Sequence, residues 1–210
     1  MIRVLIADDH AVVRQGLIQI LGDTPEMVVA GEATNGQEVL DKVRAETWDV
    51  VVLDISMPDR SGLDVLKELR AERPALPVLV LSMYSEDQYA LRVLNAGAAG
   101  YLTKDTAADD LVKAIRKVVS GGRYISPFLA EKLAFEIGGD ASRLPHEMLS
   151  DREFQVLRLL AAGKSVRDIA AELSLSVKTV STYRARLLEK MHLRTTAELM
   201  HYALQNHLID

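Results

Sequence analysis

The stretch VVVLDISMPD, residues 50–59, decides the fold. Val50, Val51, Val52 and Leu53 form an unbroken apolar run, the pattern of a strand buried on both faces. The run ends in a carboxylate, Asp54, and stops at Met57-Pro58. The reading is a buried parallel strand whose last residue carries chemistry. Met57-Pro58 is expected to turn the chain away and leave the Asp54 carboxylate exposed at the rim of the sheet.

Working outward, four more short runs rich in β-branched or small apolar residues occur at 4–7, 28–31, 78–81 and 99–102. Between them lie apolar residues at helical spacing. They are Val13, Leu17, Ile20 and Leu21; Val39, Leu40 and Val43; Leu63, Leu66 and Leu69; Leu91, Val93 and Leu94; and Leu111, Ile115 and Val118. Spacings of three and four put each set on one helix face. Strand–helix alternation repeated five times predicts an α/β unit, a five-stranded parallel, doubly wound sheet of flavodoxin-like type, over residues 1–121.

Gly121-Gly122 is expected to end the last helix of that unit. Residues 122–145 read as a linker with a helix opening at Ser126-Pro127, running through Leu129, Leu133 and Ile137, and closing at Gly138-Gly139-Asp140. Residues 146–210 read as an all-α domain of four helices at 151–161, 166–173, 177–191 and 196–207. Ser150 with Glu153 forms a capping box, Ser165 with Asp168 resembles a second, and Ser176 is a third N-cap. Gly163 is expected to stop the first of these helices.

Composition removes several function classes. The 210 residues contain no cysteine, which excludes disulfides, thiolate zinc sites and cysteine nucleophiles. No apolar stretch is long enough to span a bilayer. Residues 1–7, MIRVLIA, run straight into acidic residues and read as a strand, not a signal peptide. A cytoplasmic protein with no membrane partner is expected. The net charge of −5 is uneven: residues 1–121 carry −6, residues 122–145 are balanced, and residues 146–210 carry +1.

Ligands of open parallel sheets bind at the carboxyl ends of the strands. Asp8 and Asp9 follow the first strand, Asp54 ends the third, Ser82 follows the fourth and Lys104 the fifth. Each alone has an ordinary reading as a turn residue, an N-cap or a solvated lysine. Together they put three carboxylates, a hydroxyl and an ammonium on one rim. Three carboxylates held together repel, and a divalent cation relieves that repulsion. All-oxygen ligands favour a hard ion such as Mg²⁺. An Asp beside such an ion can act as a nucleophile toward phosphorus, while the ion and a lysine neutralise the transferring group.

The segments IADD, VVVLDISMPDRSG, LVLSM and GYLTKD resemble the motifs of two-component response-regulator receivers. The resemblance implies that Asp54 accepts a phosphoryl group from a sensor histidine kinase. It implies that Asp9, Asp54 and the main-chain carbonyl of Ser56 ligate Mg²⁺, with Asp8 acting through water. It further implies that Ser82 and Lys104 hold the phosphoryl oxygens. Tyr101 matches the family's switch aromatic, which turns inward as the Ser82 hydroxyl moves toward the phosphoryl group. One departure is Asp105 after Lys104, where many receivers carry proline.

In the C-terminal part, Val166, Ile169, Ala170 and Leu173 give one helix a buried face. Val177, Val180, Leu187, Leu188 and Met191 do the same for the next. The tight turn Ser174-Leu175-Ser176 between them predicts a helix-turn-helix whose second helix can enter a DNA major groove. Lys178, Thr179, Ser181, Thr182, Tyr183, Arg186 and Lys190 are the candidate DNA contacts. Residues 176–194 carry five basic side chains (Lys178, Arg184, Arg186, Lys190, Arg194) against Glu189, a local +4 suited to phosphate. LSDREFQVLRLLAAGKSVRDIAAELSLSVKTVSTYRARLLEKM closely resembles the LuxR-type helix-turn-helix. Paired with a receiver, it points to the NarL/FixJ group of response regulators. In that group the last helix commonly contributes to a dimer. Leu199, Tyr202 and Ala203 are candidates for that contact, and equally for core.

The resulting expectation is a phosphorylation-controlled transcription regulator, not a turnover enzyme, that binds double-stranded DNA as a homodimer on paired half-sites. An aspartyl phosphatase would carry a second Asp two residues after the nucleophile, where Ser56 stands. A nucleotide-binding module would carry a glycine-rich loop where the first strand is followed by Asp8-Asp9-His10. A receiver that works without phosphorylation would not need the full acidic set with Ser82 and Lys104.

Overall fold

In a computed structural model the described residues are 1–57, 60–84, 86–127, 129–131 and 144–209. They form two compact units, Met1–Gly138 and Gly139–Asp210. Pro58, most of the helix expected from Ser126-Pro127, with Leu133 and Ile137, and its stop at Gly138-Gly139-Asp140 lie outside the described residues.

The first unit alternates strand and helix throughout. Its strands are β1 (Ile2–Ala7), β2 (Met27–Ala33), β3 (Val50–Asp54), β4 (Val78–Ser82) and β5 (Gly100–Thr103). Its helices are α1 (Ala11–Gly22), α2 (Gly36–Ala45), α3 (Gly62–Glu72), α4 (Glu86–Asn95) and α5 (Ala107–Val119). The strands pair in parallel in the order β2-β1-β3-β4-β5. This is the flavodoxin-like order, with its switch point between β1 and β3. Every residue of β3 and β4 is buried, which is why those runs are continuously apolar. Val4, Ile6, Val50, Val52, Leu79 and Leu81 pack with Leu17 and Leu21 of α1 and with Leu111, Ile115 and Val118 of α5. Leu5, Val51, Leu53 and Val80 alternate with them, so they face the other side of the sheet, and they are equally buried. Past α5, Gly121 takes φ +88°, and the Gly121 and Gly122 amides close back on the Val118 and Lys117 carbonyls.

Gly62 opens α3 against the end of β3. A Cβ there would lie 2.2 Å from the Asp54 carbonyl oxygen and 2.7 Å from Ile55 Cα. Both are backbone atoms and cannot swing aside. Gly62→Ala is therefore expected to cost about 1–3 kcal/mol of stability through forced backbone movement. A urea midpoint unchanged from wild type would contradict this close approach.

The second unit is a helical bundle of α6 (Asp151–Ala161), α7 (Val166–Glu172), α8 (Val177–Lys190) and α9 (Thr196–Gln205). Both capping boxes form: Ser150 and Ser165 accept from the amides of Glu153 and Asp168, whose carboxylates accept in return. Ser176 caps α8 by accepting from the Thr179 amide. The turn between α7 and α8 places Ser174 at φ +53°, and the Leu175 amide donates to the Ala170 carbonyl at 2.8 Å. Phe154, Leu157, Ile169, Val180, Leu187, Leu199 and Ala203 make the core. Leu199 and Ala203 are thus core residues. Tyr202 is half-buried, its hydroxyl 2.9 Å from His146 Nδ1. Val177 departs from expectation: it is 50% exposed, because it stands on the first turn of α8, beyond the packed part of the bundle.

Candidate functional site

Register keeps the carboxyl ends of the central strands level. Ala7 lies opposite Leu53, Asp54 opposite Leu81, and Ser82 opposite Thr103. The residues that end or follow those strands therefore meet on one rim. Asp8, Asp54, Ser82 and Lys104 are brought together there as the sequence predicts, with Asp9 beside them.

Asp54 differs from expectation in one respect. It is not exposed at the rim but 1% exposed, as is Asp8. Lys104 neutralises both. Its ammonium lies 2.8 Å from Asp54 Oδ2 and 2.7 Å from Asp8 Oδ2, with only 6% of its side chain exposed. Two carboxylates delivered by adjacent strands need a countercharge, and the residue just past β5 supplies it. Burial pushes the Asp54 carboxyl up from its ordinary range, against the lowering pull of Lys104 and of the Ser56 amide; the Asp8 charge adds to the rise. Burial also pulls on Lys104, but the charges of Asp54 and Asp8 and the hydrogen bond to Asp54 outweigh it and hold the ammonium above its usual value.

The remaining carboxylate oxygens are held locally. Asp54 Oδ1 accepts from the Ser56 amide at 3.0 Å. Asp8 Oδ1 accepts from the His10 amide at 2.8 Å. Asp8 Oδ2 is buried and has Lys104 beside it as an ion pair, but no donor aligned on it as a hydrogen bond. Asp9 is exposed, and its Oδ1 lies 2.8 Å from His10 Nδ1. One ligand atom from each of Asp8, Asp9, His10 and Asp54 lies within 4.8 Å of the others. His10 was not among the predicted site residues. Nor was Arg14, whose Nη1 donates to the Asp8 carbonyl at 2.7 Å while its Nε reaches Glu32 at 3.2 Å. In the sequence both are ordinary helix-start residues, and only proximity marks them.

Ser82 and Tyr101 meet through a third residue. Both are fully buried. Ser82 Oγ accepts from the Tyr84 amide at 3.1 Å, and the Tyr101 hydroxyl donates to the Tyr84 carbonyl at 2.7 Å. The Lys104 amide donates to the Ser82 carbonyl at 2.8 Å, and the Tyr84 ring stacks on Tyr89. One peptide segment thus connects the β4-end hydroxyl to the β5 aromatic. Tyr84 is invisible to motif reading because it acts through its main chain.

In the second unit, Lys178, Ser181, Thr182, Arg186 and Lys190 of α8 are exposed, and Thr179 and Tyr183 are half-buried. Ser181 Oγ donates to the Val177 carbonyl and Thr182 Oγ1 to the Lys178 carbonyl. Two basic residues of this stretch are engaged inside the domain. Arg184 donates twice to Thr196 Oγ1, and Lys190 Nζ lies 2.7 Å from Glu153 Oε2. The others, Lys178, Arg186 and Arg194, are exposed.

Comparison with known proteins agrees with this layout. Residues 4–116 match the response regulator receiver domain, and residues 147–203 match the luxR family of bacterial regulatory proteins. The response regulator GacA of Pseudomonas protegens is 40% identical over 210 residues, covering 100% of this chain and 99% of the relative. The response regulator UvrY of Escherichia coli strain K12 is 37% identical, covering 100% and 97%. RcsB from Salmonella enterica serovar Typhimurium, solved bound to promoter rprA with the phosphomimetic BeF3-, is 29% identical. It has a TM-score of 0.67 and covers 96% of this chain and 98% of that one.

Proposed function

Because this chain belongs to the response regulators that join a receiver domain to a LuxR-type DNA-binding domain, the NarL/FixJ group, we propose that Asp54 is its phosphoacceptor and that phosphorylation switches its DNA binding. The observation that carries this is the buried Asp54 carboxylate held 2.8 Å from the Lys104 ammonium at the strand ends.

The phosphoryl donor is a phosphohistidine of a sensor histidine kinase. An Asp54 carboxylate oxygen bonds to phosphorus as the phosphorus–nitrogen bond of the donor breaks, and the electron pair returns to the imidazole nitrogen. Lys104 leaves Asp54 Oδ2 and pairs with a phosphoryl oxygen, while the Ser82 hydroxyl donates to another. Because Ser82 and Tyr101 grip the same residue, Tyr84, movement of the Ser82 hydroxyl is felt at the Tyr101 phenol. Tyr101 already points inward in this arrangement.

Asp8, Asp9 and Asp54 fit a Mg²⁺ ion. Three carboxylates converge, and Asp8 Oδ2 is buried with no aligned hydrogen-bond donor. Asp9, Asp54 and the Ser56 carbonyl would hold the ion directly and Asp8 through water. When bound, it would offset the carboxylates' repulsion and the negative charge on the transferring phosphoryl group.

Among the described residues no helix is long and apolar enough to cross a membrane. In the second domain α8 reads duplex DNA, with Lys178, Thr179, Ser181, Thr182, Tyr183 and Arg186 on or near the groove. Phosphorylated chains act as homodimers on paired half-sites, which multiplies the modest affinity of one domain. The test is selection from a random duplex pool with the full chain, with and without acetyl phosphate and Mg²⁺, alongside Asp54→Asn. An inverted repeat enriched only with phosphorylatable protein is expected. The same repeat enriched under every condition would remove the switch, and no enrichment would remove the DNA reader.

A further inference from the structure

Lys190 sits in the last turn of α8, on the exposed basic surface, and by position alone reads as a phosphate contact. Its ammonium, however, is on Glu153 Oε2 at 2.7 Å. Glu153 lies in the first turn of α6 and is 3% exposed. The same Oε2 accepts from the Ser150 amide and the Ser150 hydroxyl, both at 2.8 Å. Burial pushes the Glu153 carboxyl up, but the Lys190 and Ser150 donors outweigh it and hold the group below its ordinary value, ionised at neutral pH. Both charges also suit their helix ends: an anion at the start of α6 and a cation at the end of α8. For Lys190 to reach a DNA phosphate it would have to leave a buried carboxylate with only the two Ser150 donors and no countercharge. The Lys190 side chain is 46% exposed but Glu153 is buried, so removing the cation leaves a buried anion without its countercharge.

We propose that Lys190 is a positioning residue and not a DNA contact: with Glu153 it locks the C-terminal turn of α8 onto the start of α6 and so sets the angle at which α8 enters the groove. Arg184 makes the second clamp, from the middle of α8 to Thr196 at the start of α9. The sequence-derived +4 of residues 176–194 therefore overstates the charge available to phosphate. This inference rests on α8 being the DNA-reading helix.

The test uses the full chain with acetyl phosphate and Mg²⁺. It compares the duplex recovered by selection with an unrelated duplex of equal length, each across a salt series. Non-specific affinity depends on phosphate contacts, whereas specific affinity also needs the helix correctly set. Lys190→Met is expected to weaken the selected duplex about tenfold, the size of one spoiled base contact, with the salt slope and the unrelated duplex unchanged. Lys190→Arg, which keeps a cation on Glu153, restores specific binding. The double variant Glu153→Gln with Lys190→Met removes the pair without stranding a charge, and should match Lys190→Met. Lys178→Ala serves as the phosphate-contact reference and should flatten the slope by about 0.9. If Lys190→Met flattens the slope as Lys178→Ala does, or leaves specific binding intact, the proposal is overturned. A loss shared equally by both duplexes, tracking a lower melting temperature, also overturns it, because a merely destabilised fold would do that. If the wild-type chain recovers no duplex, the DNA-reading assignment itself fails.

Discussion

Asp54→Asn protein takes up no phosphate from acetyl phosphate in the presence of Mg²⁺, under conditions where the wild-type chain does. The amide nearly matches the carboxylate in shape, so the pocket of Asp8, Ser56 and Lys104 is retained. What disappears is the anionic oxygen that must bond to phosphorus. The neighbouring carboxylates are poor substitutes. Asp8 is buried and ion-paired with Lys104, and Asp9 is exposed and turned to His10. Intact-mass measurement of both proteins decides the point. Wild-type yield from Asp54→Asn would move the acceptor to one of those neighbours.

Lys104→Met loses about 3–5 kcal/mol of stability at neutral pH in the absence of divalent cations, because it strands two buried carboxylates that now share one countercharge. The loss depends on pH in a defined direction. Asp54 already has a raised pKa in the folded chain, and Lys104 is the largest influence holding it down. Without Lys104 the folded value climbs further above the unfolded one. A carboxyl raised on folding favours the folded state below its unfolded pKa, and that advantage is lost as pH rises through the folded pKa. The variant should therefore be closest to wild type at about pH 5 and furthest from it at about pH 8. Mg²⁺ should stabilise the variant by relieving the same repulsion. Urea unfolding at both pH values, with and without Mg²⁺, checks this. An equal deficit at both, untouched by Mg²⁺, would mean that Lys104 does not serve to neutralise Asp8 and Asp54.

The two variants probe opposite members of one ion pair, and they separate chemistry from stability. Asp54→Asn removes the nucleophile from a pocket that stays neutralised. Lys104→Met keeps the nucleophile but leaves its charge unbalanced. A result in which both variants lost only stability, or only phosphate uptake, would not fit the geometry.

Much of this molecule is decided locally and is legible in the chain. The five apolar runs become five parallel strands, the inner ones buried on both faces and the edge strand β2 buried only at Met27 and Ala33, because β-branched runs between helical segments pair into one covered sheet. Ser150, Ser165 and Ser176 cap their helices, because a hydroxyl satisfies an amide three residues away whatever else surrounds it. The gathering of Asp8, Asp54, Ser82 and Lys104 follows from strand order alone. Other features needed the tertiary structure, because they depend on where long side chains end rather than where their backbones lie. Lys104 reaches two carboxylates from far along the chain and neutralises Asp54, which is buried where strand reading left it exposed. Tyr84 joins Ser82 to Tyr101 through its main chain, which no side-chain motif records. Leu199 and Ala203 became core only once α9 was packed, and Val177 stayed outside because the bundle ends before it. Lys190, basic and on the expected face, is turned away by a buried acid 37 residues distant in the chain. Periodicity assigns a residue to a helix face, but which charge it meets there is settled by the packing of elements far apart in sequence.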